Sequence, residues 1–413
     1  MEIMMNLSYS ELIRLNRYLN QNNISIRKLS EEIGVSSSLL NQFEKDKIDL
    51  SKTIQRQLNK VLEIDLSYFN SFEEIKFTFF KLIKDNFNDE MDFAYYQNQI
   101  TKINPHYIKS SQYYSYYLAI KFILYILTNH YPDEFKEIYE ALNKSIFSSN
   151  IEVYDYFHLY ALMSENNSCE PKKHFHQVDI SNKSIEYKAM HYYYLGMFLK
   201  NNGDILEALQ HNHQALEYFK MVNNYKRRSY TLISIGNCYL YFEMEKMSIH
   251  CYEEAIRIIE KYQIPRPIDL IKQNIVWALL LDKNYDEANK ILNEIQSNEF
   301  KDSDYYFYKA WIHHKKECSY KCKHYLDKII SKNEDEFLCR LAKILLLKLN
   351  YKAHKRYRMA LENLYLKQFK NNHYGWLRFI AIELVEEYKQ INDYQKVVFW
   401  LEKQKILKIS DKN

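Results

Sequence analysis

A chain of 413 residues exceeds what one hydrophobic core organises, so two or three domains are expected. Five glycines and five prolines in that length exclude turn-rich sheet folds and enzymes built on glycine loops, which leaves an all-α architecture. A net charge of +4 permits nucleic-acid binding without arguing for it, because the informative signal is a local basic face.

The opening MEIMMNLSYSELIR lacks the charged-then-apolar pattern of a secretory leader. The most apolar stretch, Tyr116–Leu127, carries Lys121 and is too short to span a bilayer. The expectation is a cytoplasmic protein with no membrane partner. Six scattered cysteines then read as buried thiols, not bridges.

Residues 8–22 read as a helix with Leu12, Ile13, Leu15 and Leu19 on its apolar side. In the next segment Leu29 and Ile33 lie one turn apart, and Gly34 stands where a turn between two helices needs positive φ. Val35 plugs the hairpin, Ser36 is placed to cap the following helix, and Leu40 and Phe43 return to the core. The run ISIRKLSEEIGVSSSLLNQFEK resembles the lambda-repressor type of helix-turn-helix. That resemblance implies a second helix, about 36–44, lying in the major groove of double-stranded DNA. Its base-reading candidates are Ser36, Ser37, Ser38, Asn41 and Gln42, with Arg27, Lys45 and Lys47 near phosphates. Residues 1–70 hold nine Lys/Arg and nine Asp/Glu, so the electrostatic footprint is weak. A weakly charged module of this kind binds as a dimer, or has become a protein contact.

The expected division is 1–67 for the helix-turn-helix, 68–180 for an N-terminal helical-repeat region and 181–413 for a repeat domain that binds peptide and dimerises. Phe72–Asn86 and Tyr113–Asn129 read as helices of the middle region, and the polar stretch Ser164–Ser181 as a loop. Beyond it the chain becomes self-similar. Small or medium residues recur twelve apart at Gly196/Ala208, Gly236/Ser248, Val276/Ala288 and Ala310/Cys322, with weaker copies at Leu341/Ala353 and Val385/Val397. Close approach of two helices in a hairpin requires such residues. The pattern resembles the tetratricopeptide (TPR) repeat, although successive units begin 40, 40 and 34 residues apart where that repeat has about 34. The predicted fold is therefore all-α, an N-terminal helix-turn-helix followed by a TPR-like α-solenoid superhelix whose concave face is lined by the first helix of each unit. Inward positions in that register are Tyr193, Met197 and Asn201; Ile233, Asn237 and Tyr241; Gln273, Trp277 and Leu281; Phe307, Trp311 and Lys315. Aromatics interleaved with amides suit an extended peptide, although packing between helices uses the same aromatics.

A helix-turn-helix fused to such repeats resembles the RRNPP family of peptide-pheromone receptors. The segment ALEYFKMVNNYKRRSYTLISIGNCYLYFEMEKMSIHCYEEAI is most similar to the arbitrium receptors (AimR-like) within it. The resemblance implies a short signalling peptide held by Asn237, by Asn201 and by a basic residue that falls on Lys226, Arg227 or Arg228; the repeat register adds Gln273, Trp277 and Trp311 to the peptide-binding candidates. A homodimer is expected, and Phe399, Trp400 and Leu401, on the otherwise charged helix 397–409, are its candidate contact. His313, His314, Cys318, Cys322 and His324 fit no closed metal-ligand spacing, and no catalytic motif occurs. No cofactor, metal or enzymatic activity is expected.

Overall fold

The computed structural model describes residues 24–39, 53, 67–103, 105–108, 113–143, 150–164, 171–174, 177–295, 303–351, 354–370 and 374–406. The helix expected over 8–22, and residues 40–52, lie outside them. All regular structure among the described residues is helical, and the chain divides into two compact units, 1–182 and 183–413.

In the first unit, α1 (Ile26–Glu32) begins where the Ser25 hydroxyl accepts from the Lys28 amide at 3.1 Å. Gly34 turns the chain at φ +69°, where a side chain is strained, and the Ser36 hydroxyl then accepts from the Leu39 amide at 3.1 Å, so residues 37–39 open a second helix. Six more helices follow: α2 (Ser67–Asn88), α3 (Phe93–Thr101), α4 (Pro105–Ile108), α5 (Tyr114–Leu127), α6 (Glu134–Asn143) and α7 (Ile151–Ala161). A helix that is apolar all round must be covered all round. The apolar stretch of the sequence is α5, and α2, α3, α6 and α7 cover it. Its Phe122 ring lies 5.0 Å from Phe157 and its Tyr116 ring 5.3 Å from Phe79. No helix among the described residues is long and apolar enough to cross a membrane.

The polar stretch after α7 contributes a 3-10 turn, Pro171–His174, that drops His174 into this core. His174 Nε2 lies 3.0 Å from the Tyr139 hydroxyl and its Nδ1 2.5 Å from Nδ1 of His158. Two ring nitrogens that face each other share a single proton, one donating and the other accepting. Burial, reinforced by His174, pushes His158 down to about 3.

The second unit is a stack of helical hairpins: α8 (Ile185–Asn201), α9 (Ile205–Met221), α10 (Tyr225–Tyr241), α11 (Glu245–Lys261), α12 (Ile268–Leu281), α13 (Tyr285–Glu294), α14 (Ser303–Lys315), α15 (Ser319–Lys332), α16 (Glu336–Tyr351), α17 (His354–Lys370), α18 (Tyr374–Gln390) and α19 (Tyr394–Ile406). Each packs mainly on its neighbours in sequence, as a solenoid requires. The 40-residue spacing has a simple origin. The helices α8 to α11 are 17 residues each, and the turns after α8, α9 and α10 are three residues long. Each turn passes through one left-handed residue, at 203, 223 and 243, and the series continues at 263 and 283. Only the first of these is glycine; Asn223, Glu243, Gln263 and Lys283 take the others. A chain with five glycines thus makes its turns largely without them.

The small residues sit at the helix crossings. A methyl on Gly196 would stand 2.7 Å from the Asn212 side-chain oxygen, and one on Gly236 would stand 2.6 Å from the Tyr252 ring. The opposing groups therefore lie one turn beyond Ala208 and Ser248, the partners expected from spacing. Cys238, Cys251, Cys322 and Cys339 are buried free thiols and Cys318 is half-buried. Burial pushes the thiols of Cys238 and Cys251 up to about 11.

Two outcomes follow. Gly236→Ala should cost about 1–3 kcal/mol by urea unfolding, because a rigid ring cannot step aside, while Gly196→Ala should cost less. The second concerns pH. His158, His191 and His314 are held neutral by burial, the last two at about 4, so the unfolded chain binds protons below about 6.5 that the folded chain refuses. The unfolding temperature should fall as pH drops from about 6.5 toward 4, and His158→Gln should flatten that slope in a scanning calorimeter.

Candidate functional site

In the helix-turn-helix, Arg27 is exposed and paired with Glu31 at 3.3 Å, one turn away on the same helix. Ser36, Ser37 and Ser38 are exposed, and the Ser36 hydroxyl serves its own helix as a cap. Asn41, Gln42, Lys45 and Lys47 lie outside the described residues.

In the second unit the polar candidates cluster on α10. The Asn224 side chain caps it, accepting from the Arg227 amide at 3.0 Å. Steps of four, three and four residues place Lys226, Tyr230, Ile233 and Asn237 on one stripe of this helix. Arg227 adjoins that stripe, buried, with its guanidinium 5.8 Å from the Tyr193 ring of α8 and 6.0 Å from Tyr230. Arg266, in the loop before α12, stacks on Tyr230 at 4.0 Å. Arg228 stands nine residues before Asn237, half a helical turn round, over Tyr225 at 5.2 Å. Of the three adjacent cations, the backbone brings Lys226 and Arg227 toward Asn237 and turns Arg228 away. Asn201 is the exposed last residue of α8. Asn237 is half-buried, and its side-chain oxygen accepts from the Tyr252 hydroxyl at 2.6 Å.

The aromatic candidates have a different fate. Trp277 of α12 and Trp311 of α14 are covered by α18. The Trp376 ring sits 4.6 Å from Trp277 and 5.1 Å from Phe307, and the Phe379 ring 4.6 Å from Trp311. Gln273 is buried. Polar contacts fix the crossing helix. Arg378 donates to the last-turn carbonyl of Leu240 at 2.8 Å and pairs with buried Glu245. Lys315 sits 3.0 Å from Glu383 and 2.7 Å from Glu386, while Lys348 reaches Glu383 at 3.1 Å and Glu387 at 2.7 Å. Burial alone would push the pKa of Glu383 and of Glu386 up, but the lysines beside them outweigh it and hold both below the usual carboxylate range. The same charges raise Lys315 against its own burial.

The positions therefore fall into two groups. Those of α12 and α14 are covered by the protein's own aromatics. Those of α8 and α10 are Asn201, Arg227, Tyr230 and Asn237, with Arg266 from the loop before α12 against Tyr230 and Tyr252 of α11 against Asn237. Sequence reading missed Arg266 and Tyr252. It placed a repeat helix at Val385 but missed that α18 packs over Trp277 and Trp311, and that Glu386, inward in the same register, meets Lys315 of α14. The dimer candidates separate as well: Phe399 and Leu401 are exposed on α19, whereas Trp400 is buried against Tyr365 at 5.0 Å. Among the described residues no group of three or more His, Cys, Asp or Glu side chains is placed to hold a metal.

Residues 15–69 match a family model described as helix-turn-helix. The crystal structure of the apo form of RapI aligns over 82% of this chain and 96% of its own, at 13% identity and a TM-score of 0.56. A Rap protein complexed with competence and sporulation factor aligns over 81% and 98%, at 14% identity and a TM-score of 0.57. The second unit and much of the chain share the fold of these Rap proteins. An AimR structure covers 84% of this chain at 15% identity, with a TM-score of 0.37 that carries no argument for the subgroup. No curated protein sequence matches the chain.

If α18 covers Trp277 and Trp311, Phe379→Ala should cost about 3–5 kcal/mol in urea unfolding, the range for emptying a buried aromatic site. A loss below about 1 kcal/mol would mean that the ring lies on an open wall.

Proposed function

We propose that this protein is a peptide-responsive transcription regulator of the cytoplasm, acting without enzymatic chemistry. Its helix-turn-helix binds double-stranded DNA, and the polar part of the repeat face, around Asn237, holds a short signalling peptide. The observation that carries this reading is the joining, in one chain, of a helix-turn-helix to a Rap-type hairpin stack that keeps a polar, half-open stripe along α8 and α10. The Rap protein solved with competence and sporulation factor supports a stack of this kind as a ligand receptor. The peptide-binding residues are Asn201, Lys226, Arg227 and Asn237, while Arg228 is turned away, Gln273 is buried and Trp277 and Trp311 are packed against α18. On the DNA side they are Arg27, Ser37, Ser38, Asn41, Gln42 and Lys45. A homodimer forms through the exposed Val398, Phe399 and Leu401 of α19, which brings two weakly charged modules to one operator. Peptide shifts DNA binding to the extent that it binds one form of the repeat stack more tightly than the other. Control of lysogeny, as in the arbitrium receptors, is the biological setting this reading favours.

One observation favours a second reading, a repeat scaffold that binds a protein partner and no DNA: the nine-to-nine balance of charges over residues 1–70.

Mobility-shift titrations separate the two. With DNA fragments flanking the protein's own gene, the expected result is a complex whose affinity falls about tenfold or more between 50 and 200 mM salt. A pool of synthetic hexapeptides should change that affinity, and Phe399→Glu should give monomers in sedimentation together with weaker DNA binding. DNA binding that is absent at low salt would leave the scaffold reading.

A further inference from the structure

Asn237 is the half-buried amide at the centre of the polar stripe, and its two ends are in different situations. Its oxygen accepts from the Tyr252 hydroxyl at 2.6 Å, while its nitrogen makes no hydrogen bond among the described residues and is not one of the buried unpartnered atoms. An amide side chain can turn over and exchange those ends, so something must hold it. Tyr252 is completely buried, and its ring lies against the backbone at Gly236, where even a methyl group would come within 2.6 Å. The hydroxyl of a ring wedged in this way cannot move to suit its partner. Were the amide reversed, the hydroxyl would have to accept from the N–H₂ group and turn its own proton away from Asn237.

We infer that Tyr252 is a positioning residue: it locks Asn237 with N–H₂ outward, so that this point of the face is a hydrogen-bond donor and reads an oxygen of the ligand. The oxygen belongs to a peptide carbonyl or to a terminal or side-chain carboxylate, which share the same acceptor chemistry. Arg266 agrees in sign, since its guanidinium stacks on Tyr230 and has no ion pair among the described residues. The stripe thus selects a segment that presents oxygens and rejects one that presents N–H groups.

This rests on the peptide-receptor reading, and the experiment keeps the two apart. Full-length protein is mixed with a pool of synthetic hexapeptides, half with free and half with amidated C-termini, and peptides retained through gel filtration are identified by mass spectrometry. The best retained peptide is then titrated into Tyr252→Phe, Asn237→Ala and Asn237→Asp. Tyr252→Phe keeps the ring and its packing, so its unfolding temperature should stay close to wild type while affinity falls about tenfold. Asn237→Asp should bind more weakly than Asn237→Ala, because a carboxylate opposes the ligand's oxygen where a methyl group merely leaves it unpaired. Preference for free over amidated C-termini marks the oxygen as a terminal carboxylate, and equal retention marks it as a main-chain carbonyl. Wild-type affinity in Tyr252→Phe, or binding by Asn237→Asp as tight as by Asn237→Ala, overturns the positioning role alone. A wild-type protein that retains no peptide overturns the receptor reading and the positioning role with it.

Discussion

At Gly236 the backbone of α10 comes so close to α11 that no side chain fits between it and the Tyr252 ring, and much of the second unit follows from that approach. Helices this close exclude water along their contact and fix each other's rotation, because a packed interior has few alternative arrangements. Fixed rotation decides which residues of α10 share a side, and so keeps Tyr230 and Asn237 together. The turns serve the same end. A three-residue link with one left-handed residue returns the chain at a set angle, and its recurrence keeps successive helices in register. Residues such as Glu243 and Lys283 accept that backbone at some conformational cost, which the packing of 17-residue helices offsets.

The crossing helix α18 imposes a second constraint. Its aromatics fill the space over α12 and α14, and its charges find partners on α14 and α16. Buried ion pairs such as Lys315 with Glu383 add little net stability over an apolar replacement, since desolvation consumes most of the attraction. Their effect is on specificity. An unpaired buried carboxylate is so unfavourable that α18 has one acceptable register, the one that delivers Glu383 between Lys315 and Lys348. Arg378 extends the same argument to α10, because it binds the carbonyl of Leu240 three residues beyond Asn237. Anything that repositions the end of α10 therefore acts directly on the contact that closes the stack.

What the sequence made legible divides along physical lines. The helix-turn-helix and the hairpins were readable because they depend on local chemistry: Gly34 at positive φ, Ser36 as a cap, small residues at crossings, and apolar periodicity. Contacts between distant segments left no such trace. Trp277 and Trp311 carry the pattern of a ligand wall and of an interior alike, and their partners Trp376 and Phe379 lie 65 or more residues away. Spacing also left unread that the ring nearest Gly236 is Tyr252, one turn beyond Ser248 on the partner helix. Lys226, Arg227 and Arg228 were equivalent as letters. Helical rotation about α10 separates them.

The charge balance of the first 70 residues bears on how such a protein is controlled. Phosphate neutralisation supplies most of the sequence-independent affinity for DNA, and nine cations set against nine anions supply little of it. A module this weak occupies an operator chiefly when a second copy is held beside it, since linkage converts the second binding event into an intramolecular one and multiplies affinity without new contacts. That gain depends on spacing and vanishes when the geometry forbids both modules to engage. A strongly basic module would stay bound through small changes in geometry. In the proposed regulator the near-neutral charge thus leaves occupancy dependent on arrangement, the property that a ligand bound in the repeat stack can alter.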